Sequence, residues 1–127
     1  MLPAQHKLRS SRDFSRAVRK GHRIGRKTIV LHILDTATLA DAPLASFGGP
    51  RIGLVVSKAV GNAVTRHAVS RKLRAIAYAH RDQLPPQCHV VVRALPAAAT
   101  ATSQELTKDV QSALAKFQRF QRAATSQ

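Results

Sequence analysis

From position 58 to position 74 the chain reads Lys-Ala-Val-Gly-Asn-Ala-Val-Thr-Arg-His-Ala-Val-Ser-Arg-Lys-Leu-Arg, with no carboxylate anywhere in the run. Guanidinium and ammonium groups at this density bind phosphate: Arg offers a planar fork of donors, and Lys a compact point charge. That is the chemistry of holding a polyanion rather than of breaking a bond. At helical spacing His67, Ser70, Arg71 and Arg74 stand at i, i+3, i+4 and i+7 and form one lengthwise strip. Val69, Leu73, Ile76 and Ala77 fall on roughly the opposite side and can pack on a sheet. No Asp or Glu relieves the repulsion within the strip, and a bound polyanion would. Lys58 and Gly61 precede this helix at a strand-to-helix turn, where free helix amides plus a lysine make an anion site. A conformational role for Gly61 is the other reading of that turn.

The remaining reactive side chains do not assemble into a catalytic set. The six acids, Asp13, Asp35, Asp41, Asp82, Glu105 and Asp109, are isolated in loops or near expected helix ends, so no carboxylate pair for two metals is expected. No Ser-His-Asp or Cys-His arrangement can be argued, and the six histidines lack convergent partners at metal-ligand spacing. Cys88 is single, excludes an internal disulfide, and reads as a core or strand-edge residue. His67 can contact a phosphate, whereas a general acid or base role has nothing to support it. Phe14 is either a core aromatic or a platform for a nucleotide base, and Tyr78 reads as the rim of an amphipathic helix.

The whole chain carries the same charge bias. Its 127 residues suit a single domain, and 21 Lys+Arg against 6 Asp+Glu give a formal charge of +15. Nucleic acid and an anionic membrane surface are the candidate partners. No run of 18 apolar residues could span a bilayer, and the basic, polar N-terminus lacks the apolar core of a secretory signal, so a cytoplasmic location is expected. Membrane-surface binding fits poorly because the apolar faces are needed for a core.

These residues need elements to position them. Residues 10–20 predict a first helix with Ser10 and Asp13 as a capping pair, Phe14, Ala17 and Val18 as its apolar stripe, and Gly21 closing it in the left-handed region. Residues 21–27 read as a basic connection, 28–34 as a strand, 36–50 as a variable loop, and 51–57 as a second strand. The basic helix spans about residues 62–80 with Asn62 as N-cap. Residues 89–94 form a further strand, and Thr102 to Glu105 is a capping box that opens a terminal helix. Leu106, Val110, Ala113, Phe117 and Phe120 supply its apolar stripe, and residues 123–127 read as a frayed tail. The order implies a two-layer α/β (α+β) sandwich with one small sheet, in which a right-handed strand-helix-strand crossover is the geometric default.

The ordered residues Val56-Ser57, Lys58, Gly61, Ala63, Val64, Arg66, Arg71 and Arg74 match, in register, a motif of the bacterial ribonuclease P protein family. Leu8-Arg9, Arg12, Asp13-Phe14 and Gly21 are similar to that family's opening segment, so the resemblance covers nearly the whole chain. His67 stands where the family usually has Asn, and Ser70 where it usually has Lys; Val18 and His32 occupy positions often held by aromatics. The resemblance implies an α-β-β-β-α-β-α fold with a left-handed crossover around the basic helix. It also implies a subunit of an endoribonuclease in which the RNA partner, with Mg2+, performs catalysis, and no cofactor is held by the protein. Ribonuclease P RNA would then dock on Lys58, Gly61, Arg66, His67, Ser70, Arg71 and Arg74, and the 5′ leader of precursor tRNA on a cleft containing Arg12, Phe14 and His32. Two other readings of the residues stay open at this point. A ribosomal RNA-binding protein would share the size and charge, and a helix-turn-helix DNA binder is disfavoured because the basic helix follows a strand.

Overall fold

The computed structural model describes residues 2–36 and 49–125. Most of the loop expected at 36–50, and the last two residues of the expected tail, lie outside the described residues. Helix α1 (Ser11–Lys20) opens on Ser10, whose hydroxyl accepts from the Asp13 amide at 3.3 Å. Three strands follow, β1 (His22–Gly25), β2 (Ile29–Asp35) and β3 (Arg51–Val55), then helix α2 (Ala63–Ala79), strand β4 (Cys88–Ala94) and helix α3 (Ser103–Thr125). The α-β-β-β-α-β-α order of an α+β sandwich is therefore present. One mixed sheet has the order β1-β2-β4-β3, with β1/β2 and β2/β4 antiparallel and β3/β4 parallel.

Alternation along the strands sends two sets of side chains to opposite faces. Ile24, Ile29, Leu31, Ile33, Ile52, Val90 and Val92 enter the main core, where Leu73 and Ile76 of α2 and Leu106, Val110 and Phe117 of α3 cover them. Leu34 and Val91 face the other way and form a smaller cluster with Leu8, Ala17 and Phe14 under α1. Both capping expectations for the longer helices hold. Asn62 accepts from the Thr65 amide at 2.9 Å, and Thr102 and Glu105 exchange bonds of 2.9 and 3.1 Å across the start of α3. Asp109 then ties α3 to the sheet by accepting from the Thr28 amide at 3.0 Å and from its hydroxyl.

Four expectations need correction. The basic connection after α1 contains strand β1, which pairs with β2 from His22↔Ile33 to Gly25↔Val30; a four-residue edge strand with one buried side chain, Ile24, leaves almost no pattern to read. Gly21 ends α1 in extended backbone, φ −77° and ψ 167°, rather than in the left-handed region. Space is the reason a glycine fits there: an added Cβ would lie 2.5 Å from the Ala17 oxygen and 2.9 Å from the Ile33 carbonyl. Val18 is exposed, because Ala17 alone of its pair faces the sheet. Phe120 also leaves the core stripe and lies at the rim, where the end of α3 passes beyond the sheet's buried side chains.

Candidate nucleic-acid interface

The core stripe of α2 fixes where its basic strip points. Val69, Leu73, Ile76 and Ala77 are all buried against the sheet, so the residues about half a turn away are held outward. His67, Arg71 and Arg74 line one wall of a cleft of about 700 Å³. Its floor is apolar, made by Leu2, Leu8, Phe14, Ile52 and Leu54, and Lys7 and Arg9 of the N-terminal segment line it as well. A single bridge, Lys7 to Ile52, with the Leu8 amide donating to the Ile52 oxygen at 3.0 Å, holds that segment along the free edge of β3.

Phe14 reaches this cleft by lying across β3. Its ring occupies the space above Gly53, where an added Cβ would stand 2.2 Å from the ring's Cζ. Any side chain at position 53 would evict the ring. The aromatic is half-buried, packed against the small α1 cluster on one side and lining the cleft on the other.

The other candidates are distributed around this centre. Ser70 is half-buried outside the cleft lining. Arg66 shares i, i+3 and i+7 spacing with the buried Val69 and Leu73, is itself half-buried, and has an Nε with no hydrogen-bond partner. Lys58 is exposed in the turn after β3. Gly61, with φ +156°, directly precedes the N-cap, and an added Cβ there would meet Thr65 Cγ2 at 3.0 Å. Conformation and close approach thus both favour glycine. Arg12 is exposed on α1 away from the cleft lining.

His32 corrects an expectation. It is 2% exposed, paired with Val91 and Arg23 on the α1 face of the sheet, and both ring nitrogens lack partners. Burial depresses its basicity, and Arg23 and Arg93 add repulsion. A neutral ring this deep belongs to the floor under α1 and offers no surface to a nucleotide. Tyr78 is likewise engaged internally, edge-on to His6 at 5.6 Å and capped by the Arg81 guanidinium at 4.0 Å. Cys88 is buried, and burial followed by the nearby Asp35 charge pushes its thiol far above the ordinary range. Among the described residues no group of three His, Cys, Asp or Glu side chains could hold a metal ion. No helix among them is long and apolar enough to cross a membrane.

Sequence reasoning had not placed Lys7 and Arg9 beside α2. They lie more than fifty positions from it, and tertiary contacts of the N-terminal segment with β3 and its start bring them there: the bridge to Ile52, the Arg51 guanidinium donating to the Lys7 oxygen, and His6 bonded to the Pro50 oxygen.

An apolar-floored cleft with five basic side chains on its walls, carried by a small mixed sheet, defines a nucleic-acid-binding α+β domain. The chain matches the model of the family described as Ribonuclease P over residues 2–118. The ribonuclease P protein component of Corynebacterium diphtheriae is 61% identical over 119 residues, which are 94% of this chain and 98% of that protein. The corresponding protein of Rhodococcus jostii is 48% identical over 126 residues, 99% of each. Among solved structures, the Staphylococcus aureus RNase P protein superimposes with a TM-score of 0.70 at 23% identity, covering 86% of this chain and 92% of that one. The Thermotoga maritima RNase P protein gives 0.68 at 19% identity, covering 85% and 94%. These two likenesses concern the fold. The chain belongs to the ribonuclease P protein family, as the protein component of that RNA-binding holoenzyme, and its role in forming the 5′ end of tRNA follows from that membership.

Proposed function

We propose that this chain docks on ribonuclease P RNA through the outer face of α2 and takes the 5′ leader of precursor tRNA along the adjoining cleft. The observation that carries this reading is the convergence of Phe14 with His67, Arg71 and Arg74 on one cleft. A flat ring beside guanidinium groups suits a single strand, since bases stack on the ring while phosphates take charge-assisted hydrogen bonds. Lys58, Gly61, Arg66 and Ser70 extend the docking face toward the start of the helix, and Arg12 extends the leader side along α1. His32 supports that side from beneath. Bond cleavage belongs to the RNA partner with Mg2+, the chain supplying position and charge, and the compartment is the cytoplasm.

Reconstitution tests the reading. Added to a ribonuclease P RNA and precursor tRNA at low magnesium, the chain should stimulate formation of mature 5′ ends, and a longer leader should bind the holoenzyme more tightly. Absence of stimulation would sink the proposal. Stimulation independent of leader length would remove the leader from it.

A further inference from the structure

A second aromatic and basic surface lies at the other edge of the sheet. His22, at the start of β1, stacks on Phe120 with ring centroids 5.4 Å apart and planes 18° from parallel. Phe117 supports the same imidazole edge-on at 5.6 Å and is itself buried, which anchors the pair to the core. Lys116 holds its ammonium 5.9 Å from the Phe120 centroid, and Arg119 is exposed one position before that ring. Phe120 is 41% exposed and His22 is also exposed, so the stacked pair meets solvent.

We propose that this patch is a second RNA contact, in which an unpaired base continues the His22–Phe120 stack and its flanking phosphates meet Lys116 and Arg119. Charge complementarity selects RNA over a protein partner: from Val110 to Thr125 the helix carries no acidic residue. Two aromatic rings held parallel by a buried third present a flat face without further ordering cost, which is what base stacking uses. The patch is distinct from the cleft. In the order β1-β2-β4-β3 it sits at β1, while the cleft opens at β3. Three strand spacings, roughly 14 Å, separate those edges. One small subunit would then hold RNA at both ends of its sheet.

The inference is independent of which RNA strand occupies the α2 cleft, and the test uses the reconstituted holoenzyme. Phe120→Leu keeps an apolar side chain at the rim but removes the flat ring, and Arg119→Glu reverses a charge on an exposed residue. Each should weaken binding on the order of tenfold. Affinity for ribonuclease P RNA alone, and of the holoenzyme for precursor tRNA, tells which of the two supplies the base. Thermal melts check that both variants fold as the parent does, and 4-thiouridine substituted into each RNA in turn should crosslink to the peptide bearing Phe120. Parent-like affinity for both RNAs in Arg119→Glu, with no crosslink on α3, would overturn the inference. If Arg71→Ala lowers affinity while the α3 variants do not and no crosslink forms on α3, this inference falls and the α2 reading stands. If none of the variants lowers affinity, both fall.

Discussion

At the scale of single residues, what matters is which side chains the packing leaves free to meet phosphate. Arg71 is exposed and Arg74 half-buried, and both face the cleft. Arg71→Ala and Arg74→Ala should each weaken RNA binding across sequences and reduce the slope of log K against log salt by about one, read from titrations at several salt concentrations. Phe14 and Gly53 form a second testable unit. Gly53→Ala should cost about 1–3 kcal/mol in urea unfolding because the ring must leave its seat, and that cost should disappear in a Phe14→Ala background. His32 gives a pH dependence of fixed sign. Its folded-state pKa lies below the ordinary 6.5, from burial first and then from Arg23 and Arg93, so the unfolded chain takes up a proton at higher pH than the folded chain does. Stability from this site is fully present above the ordinary value and is lost as pH falls below it. Melting temperatures of the parent should drop from about pH 7 to about pH 5, and His32→Leu should flatten that decline. His89, also depressed by burial although Asp13 opposes the shift, contributes in the same direction. An unchanged slope in His32→Leu would assign the whole effect to other groups.

At the scale of elements, legibility followed pattern length. Helix α2 repeats its core spacing from Val69 to Ala77, and α3 from Leu106 to Phe117, so both could be read with their caps. The β1 strand could not be read, because it is held by pairing with β2 and by one buried side chain. The same contrast separates two glycines at its ends. Gly21→Ala would press a methyl group against backbone atoms that cannot rotate away and should cost more than about 1 kcal/mol. At Gly25 nothing lies within 4 Å of an added Cβ, so Gly25→Ala should be close to neutral. Chemical denaturation of the two variants side by side measures the difference; equal costs would mean that the α1 to β1 junction is not the tight point described.

At the scale of the whole molecule, a formal charge of +15 opposes compaction when no anion is bound. Sulfate or phosphate added at low ionic strength should raise the melting temperature and increase helical circular dichroism, because anions bind the folded cationic faces more tightly than the dispersed chain. A flat response would argue that the charges are spaced too widely to strain the fold. Charge, the three helices, strands β2 to β4, the core stripe of α2 and the acid-free basic run along it were determined by the sequence itself, since each depends on residue type or on local periodicity. The cleft, the burial of His32, the seating of Phe14 over Gly53 and the His22–Phe120 stack were decided only by tertiary structure. Each of these joins residues that lie far apart in the chain, and such neighbours are set by strand register and by which face of the sheet a helix covers.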